Sequence, residues 1–140
     1  MTMSAHQADF NRGLDLFNAQ QFFDAHEVLE DVWRALSRDR PARPHLRLHV
    51  QGMVQLAVAF HHQSKGNYVG ARSVLERAVR NLNGADSSFP DLDLDRLRNE
   101  LQLWRQYLDD SEGAGNKNKK DKPDVRYRTA PALPKIMRRR

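Results

Sequence analysis

The stretch Phe22-Phe23-Asp24-Ala25-His26-Glu27-Val28-Leu29-Glu30-Asp31-Val32-Trp33 reads as one amphipathic helix. At about 100° per residue, Phe22, Ala25, Leu29, Val32, Trp33 and Leu36 share an apolar arc that must bury itself against other elements. His26 falls at the edge of that arc, with Phe22 one turn before it and Trp33 two turns after. Glu30, four residues on, lies beside His26 on the polar side. Glu27 is farther round, at the rim, and Asp31 and Arg34 point outward.

Outward from this helix the same periodicity predicts four more. The first covers residues 4–19, with Ser4 and Gln7 spaced as a capping box and Phe10, Leu14 and Phe17 as its stripe. Residues 37–44, with two prolines, form a loop. The third covers residues 45–65 and is apolar nearly all round, which predicts a central, buried helix. Gly66-Asn67 breaks it, and Asn67 caps the fourth, residues 68–82. Asn83-Gly84 stops that one. Pro90 and the aspartates after it lead into the fifth, marked by Leu94, Leu97, Leu101, Trp104 and Leu108. No strand pattern stands out. The fold class is therefore all-α, a compact bundle of about five helices built from antiparallel helical hairpins, with a basic C-terminal tail. A shift of 46 residues lays the second helix on the fourth, matching Ala25 with Ala71, Leu29 with Leu75 and Leu36 with Leu82. The two hairpins thus read as a degenerate pair.

Composition bounds the chemistry. The 140 residues contain no cysteine, which removes disulfides, thiolate zinc sites and cysteine nucleophiles. There is neither a secretory signal pattern nor an apolar run of the roughly 18 residues a membrane helix needs, so a cytoplasmic setting away from the membrane is expected. The net charge of +5 is unevenly spread. Residues 1–112 carry 13 Lys+Arg against 16 Asp+Glu, whereas residues 113–140 carry 10 against 2. The division expected is a helical domain over 1–112 and a tail over 113–140 whose Tyr127, Arg128 and closing arginines can contact phosphates. Docking of Leu133, Ile136 and Met137 back onto the domain is the other course open to the tail.

The third helix carries Gln51, Gln55 and His62 on one stripe, with Gly52 and Ala59 beside it. Polar groups buried without partners cost roughly 1–3 kcal/mol each. The stripe is therefore expected to face His26 and Glu30 and to close a polar pocket between the second and third helices. A satisfied polar seam, a ligand or metal site, and an active site all remain open readings of that pocket.

Sharper motifs fail. His26-Glu27 lacks the second histidine of the helical zinc-protease pattern, and no glutamate has a histidine three residues on, as di-iron bundles require. Asp91, Asp93 and Asp95 mimic a calcium loop, but Arg96 and Gln102 stand where its glycine and glutamate belong. There is no phosphate-binding glycine loop and no nucleophile elbow. His61 points away from His62, and His6, His45 and His49 have no evident partners.

Phe17-Asn18, the run from Phe22 to Glu30 with Trp33, Gln51-Gly52 with Gln55-Leu56-Ala57, His62, Gly66-Asn67, and Gly70-Ala71 ahead of Leu75 together resemble the domain of unknown function 309 family, over roughly residues 10–82. The resemblance implies a compact helical bundle of a small prokaryotic protein and brings no reaction with it. It carries His26, Glu27, Glu30, Trp33, Gln51, Gln55 and His62 forward as the shared site.

The leading expectation is a binding or scaffold module for a small molecule or protein, with no cofactor and no metal, compatible with a homo-oligomer. One alternative is a hydrolase-like or metal-dependent enzyme using His26 and Glu30 for proton transfer, with His62 completing any metal site. The other is a nucleic-acid accessory protein acting through the tail alone.

Overall fold

The computed structural model describes residues 4–114 and 129–139. A 3-10 turn, Ser4–His6, leads into α1 (Gln7–Asn18). Then come α2 (Phe22–Leu36), α3 (Pro44–Ser64), α4 (Tyr68–Asn81), a second 3-10 turn (Ala85–Ser87) and α5 (Leu94–Ala114). Each helix packs on the next in chain order, so the fold is an all-α bundle of successive hairpins. Among the described residues the only strand-like pairing is an isolated antiparallel bridge between Leu92 and Arg138. No described helix is long and apolar enough to cross a membrane.

The helix ends follow local chemistry. Asn67 caps α4, its side-chain oxygen accepting from the Gly70 N–H at 2.9 Å, and Gly66 supplies the left-handed turn before it (φ 79°). Asp93 Oδ1 accepts from the Arg96 N–H at 3.1 Å at the start of α5. α1 itself begins at Gln7, later than expected. Its N-cap is His6, without a side-chain capping bond, and Gln7 donates to Asn11 Oδ1.

The core is aromatic at its centre. Phe17 meets Phe22 and Phe60 at ring distances of 5.1 and 6.1 Å, and Phe60 meets Trp104 edge-on at 5.2 Å. One cluster thus joins α1, α2, α3 and α5. Burial of each such ring stabilises the fold by about 1.5–3 kcal/mol. The pairing of α2 with α4 by a 46-residue shift is matched in burial. Ala25 and Ala71, Leu29 and Leu75, and Leu36 and Leu82 are all buried, while Phe22 is buried and Tyr68 is exposed.

One expectation is corrected here: α3 is central but not buried all round. Its inner face holds Val50, Met53, Leu56 and Phe60, whereas Leu48 is 42% exposed and Gln51, Val54, Gln55, Val58, His61 and His62 are half-buried. The inner face of α3 packs on the other helices, its flanks meet chiefly α2 and α4, and the side left open is where its polar stripe lies. Of the two courses open to the tail, Thr129 to Arg139 takes the docking one and packs on the helices, and α5 runs on past residue 112 to Ala114. Pro134 and Ile136 are buried. Tyr127, Arg128, Arg140 and residues 115–126 of the expected tail lie outside the described residues.

Candidate functional site on the outer face of α2 and α3

His26 Nε2 stands 3.3 Å from Glu30 Oε1, as their spacing of four on α2 dictates, and the two side chains are 25% and 32% exposed. Glu30 is shared, because its other oxygen is 3.4 Å from Arg34 Nη2. Arg34 therefore belongs to the edge of the pair rather than pointing outward alone. Glu27 is exposed, at the rim.

The third-helix stripe does not close on this pair. Gln55 Oε1 accepts from Asn81 Nδ2 of α4 at 2.8 Å, so its side chain turns to the opposite neighbour. His62 Nδ1 is 3.4 Å from Asn67 Nδ2 in the turn after α3. Gly52, read as a place of close helix approach, serves that purpose toward α4. A Cβ there would lie 2.8 Å from Leu82 Cγ. The angular positions explain the difference. Gln51, Gln55 and His62 lie on the open ridge of α3, with α2 on one side and α4 on the other.

In the core α3 meets α2 through Phe60 and Phe22; toward the outer face, Arg47 and His61 reach α2, with Gln51 in the groove beside Trp33. Phe23, 49% exposed, sits between two imidazoles, its ring 5.7 Å from His26 and 5.4 Å from His61. His61 thus packs beside the His26 site, with Phe23 between the two rings. Burial, followed by the charges of Lys65, His62 and His26, holds its pKa below the ordinary imidazole value. The available signal was the wheel, on which His61 shares an arc with Val54 and Val58 on the α2 side.

At the other end of the face the Arg47 guanidinium lies 4.0 Å from the Trp33 ring centroid, and its Nε donates to the Trp33 carbonyl at 3.4 Å. A groove of about 350 Å³ runs beside them, lined by Trp33, Leu36, Ser37, Arg43, Arg47 and Gln51 among others, with no acidic side chain in its lining. The Trp33 indole N–H is buried without an acceptor among the described residues. Thus the seven residues of the expected shared site divide among three places. His26, Glu27 and Glu30 sit mid-face, Trp33 and Gln51 line the groove, and Gln55 and His62 lie toward α4 and the α3–α4 turn.

Among the described residues no three or more His, Cys, Asp or Glu side chains come close enough to hold a metal ion, so His26, Glu30 and His62 do not form one coordination site. Two other histidines have partners that the sequence did not reveal. His6 Nε2 is 3.2 Å from Asp39, and buried His49 lies 2.5 Å from Ser88 Oγ through Nδ1. Both partners are more than 30 residues away, beyond the reach of any helical spacing.

Comparison with known proteins bears on the same segment. Residues 10–74 match the model of a family described as Domain of unknown function (DUF309). An "Uncharacterized protein YpuF" of Bacillus subtilis (strain 168) is 33% identical over 79 residues, 56% of this chain and 42% of that protein. An "Uncharacterized protein" of Aquifex aeolicus (strain VF5) is 23% identical over 111 residues, 79% of this chain and 29% of that protein. The chain thus spans less than half the length of either relative.

Proposed function

We propose, for a chain whose residues 10–74 belong to the Domain of unknown function (DUF309) family, that the outer face of α2 and α3 is a binding surface and the protein a small helical binding module. The observation that carries this reading is the line of half-exposed aromatic and polar side chains along one face: Phe23, His26, Glu30 and Trp33 on α2, with Gln51 and His61 on α3. Aromatic side chains held by neighbours yet open to solvent are the usual anchors of recognition surfaces. The groove at Trp33 offers donors from Arg43, Arg47, Ser37 and Gln51 and no carboxylate, so an acceptor-bearing or acidic partner group suits that end. Recurrence of the segment as a fraction of two longer chains also fits a module. A prokaryotic source is supported by the bacterial relatives, and a cytoplasmic one by the cysteine-free sequence. The tail reading loses force because Arg139, one of its arginines, pairs with Asp86 at 3.7 Å.

Site-specific photocrosslinking tests the proposal. A benzophenone side chain at position 23 or 48 is expected to capture a partner in cells of the source organism, and Glu30→Arg is expected to abolish the adduct. The same probe at position 103, exposed on α5, serves as control. Equal capture from position 103, or none from 23 and 48, contradicts the proposal.

A further inference from the structure

Thr129 to Arg139 lies extended across α1, α5 and the turn before α5, and most of what holds it there is directed at its backbone. Asn18 uses both ends of its carboxamide on one residue. Its Oδ1 accepts from the Ile136 N–H at 2.8 Å, and its Nδ2 donates to the Ile136 carbonyl at 3.0 Å. The Trp104 indole donates to the Ala132 carbonyl at 2.9 Å. The Lys135 N–H donates to Glu100 Oε1 at 3.1 Å. The Asp93 N–H donates to the Met137 carbonyl at 2.8 Å, and the Arg139 N–H donates to the Asp91 carbonyl at 2.7 Å. Six backbone groups of one short extended segment are thus satisfied by the helices and their turn.

Side chains add direction. Ile136 is the apolar anchor, 4% exposed, and Pro134 is buried two residues before it. Lys135 Nζ donates to the Asn18 carbonyl, and Arg139 reaches the Leu92 carbonyl and Asp86. A groove that grips backbone along an extended chain, takes one branched side chain in a buried position and receives cations at its acidic end has the attributes of a peptide-recognition site.

We propose that this α1–α5 groove is a recognition site for an extended basic peptide with a proline and a branched apolar anchor, and that Thr129–Arg139 is its tethered occupant. Because the segment belongs to the same chain, its docking is intramolecular, and an outside peptide of the same pattern competes at a disadvantage with it. The site is distinct from the α2–α3 face and does not depend on its function.

The test uses the full chain and a fluorescein-labelled peptide of residues 129–139. Ile136→Asp expels the anchor from the groove. The folded variant is expected to bind the labelled peptide at least tenfold more tightly than the unmodified chain, and adding Asn18→Ala is expected to weaken that binding at least tenfold. A folded Ile136→Asp chain that binds no peptide, or binding indifferent to Asn18→Ala, overturns the proposal, as does failure of Ile136→Asp to fold. Amide hydrogen exchange on the unmodified chain gives an independent reading. Ile136 and Arg139 are expected to exchange faster than Leu56, and faster still with excess unlabelled peptide. Exchange of all three at one common rate, unaffected by peptide, shows the segment to be inseparable from the core and overturns the proposal.

Discussion

The Arg47 guanidinium covers the Trp33 indole at 4.0 Å, tying the start of α3 to the end of α2 where the donor-rich groove begins. A guanidinium over an indole contributes about 0.5–1 kcal/mol at a partly exposed site. Arg47→Ala is therefore expected to lower the unfolding free energy by about that amount in urea titrations. Of the two tryptophans, Trp104 is buried, so the substitution should raise acrylamide quenching of one emitting component and leave the other unchanged. Unchanged quenching of both would show that Arg47 does not shield Trp33.

Gly52 marks the approach of α3 to α4. A methyl group there would lie 2.8 and 2.9 Å from Leu82 Cγ and Cδ2 and 3.4 Å from the Ala78 carbonyl. Overpacking of this kind costs about 1–3 kcal/mol, against a gain of up to about 1 kcal/mol in helix propensity. Gly52→Ala is expected to be destabilising on balance. Leu82→Ala alone should cost about 2–5 kcal/mol, and the double variant less than the sum, because the shortened residue 82 leaves room for the methyl. Strict additivity in denaturant titrations would contradict the close approach.

His49 makes stability depend on pH. Burial, the largest effect, and the nearby His45 depress its pKa below 6.5, and the Asn83 backbone and Asp86 oppose this only in part. A depressed folded-state pKa means that, below pH 6.5, the unfolded chain binds a proton the native chain resists. The contribution is fully present above pH 6.5 and is lost as pH falls toward the folded-state pKa. Urea midpoints measured from pH 8 to pH 5 should fall below about 6.5, and His49→Gln should flatten the slope. An unchanged slope in that variant would assign the effect to other groups, His61 first among them.

The sequence made the helices legible because each announces itself locally. The stripes on α1, α2 and α5 bury as read, and Asn67 caps α4 as its position implies. It was less informative about the sides of α3. A helix apolar over most of its circumference looks the same whether two neighbours or three surround it, so the ridge bearing Gln51, Gln55 and His62 passed for an interface. The His26–Glu30 pair was legible because a spacing of four fixes it. The Phe23–His61 and Arg47–Trp33 contacts needed the relative rotation of two helices, which periodicity does not encode. The Asn18–Ile136 bonds join residues 118 apart, and nothing local marks them, although Ile136 stood out as an apolar residue in a basic run.

The central claim is that the polar groups on the outer face of α2 and α3 serve binding rather than the fold, and their cost on removal tests it most directly. Exposed ion pairs contribute about 0–1 kcal/mol. His26→Ala, Glu30→Ala and Gln51→Ala, each measured by urea unfolding, are expected to change the unfolding free energy by no more than about 1 kcal/mol. A loss of about 3 kcal/mol or more from His26→Ala or Glu30→Ala would contradict the claim and make the pair a structural seam.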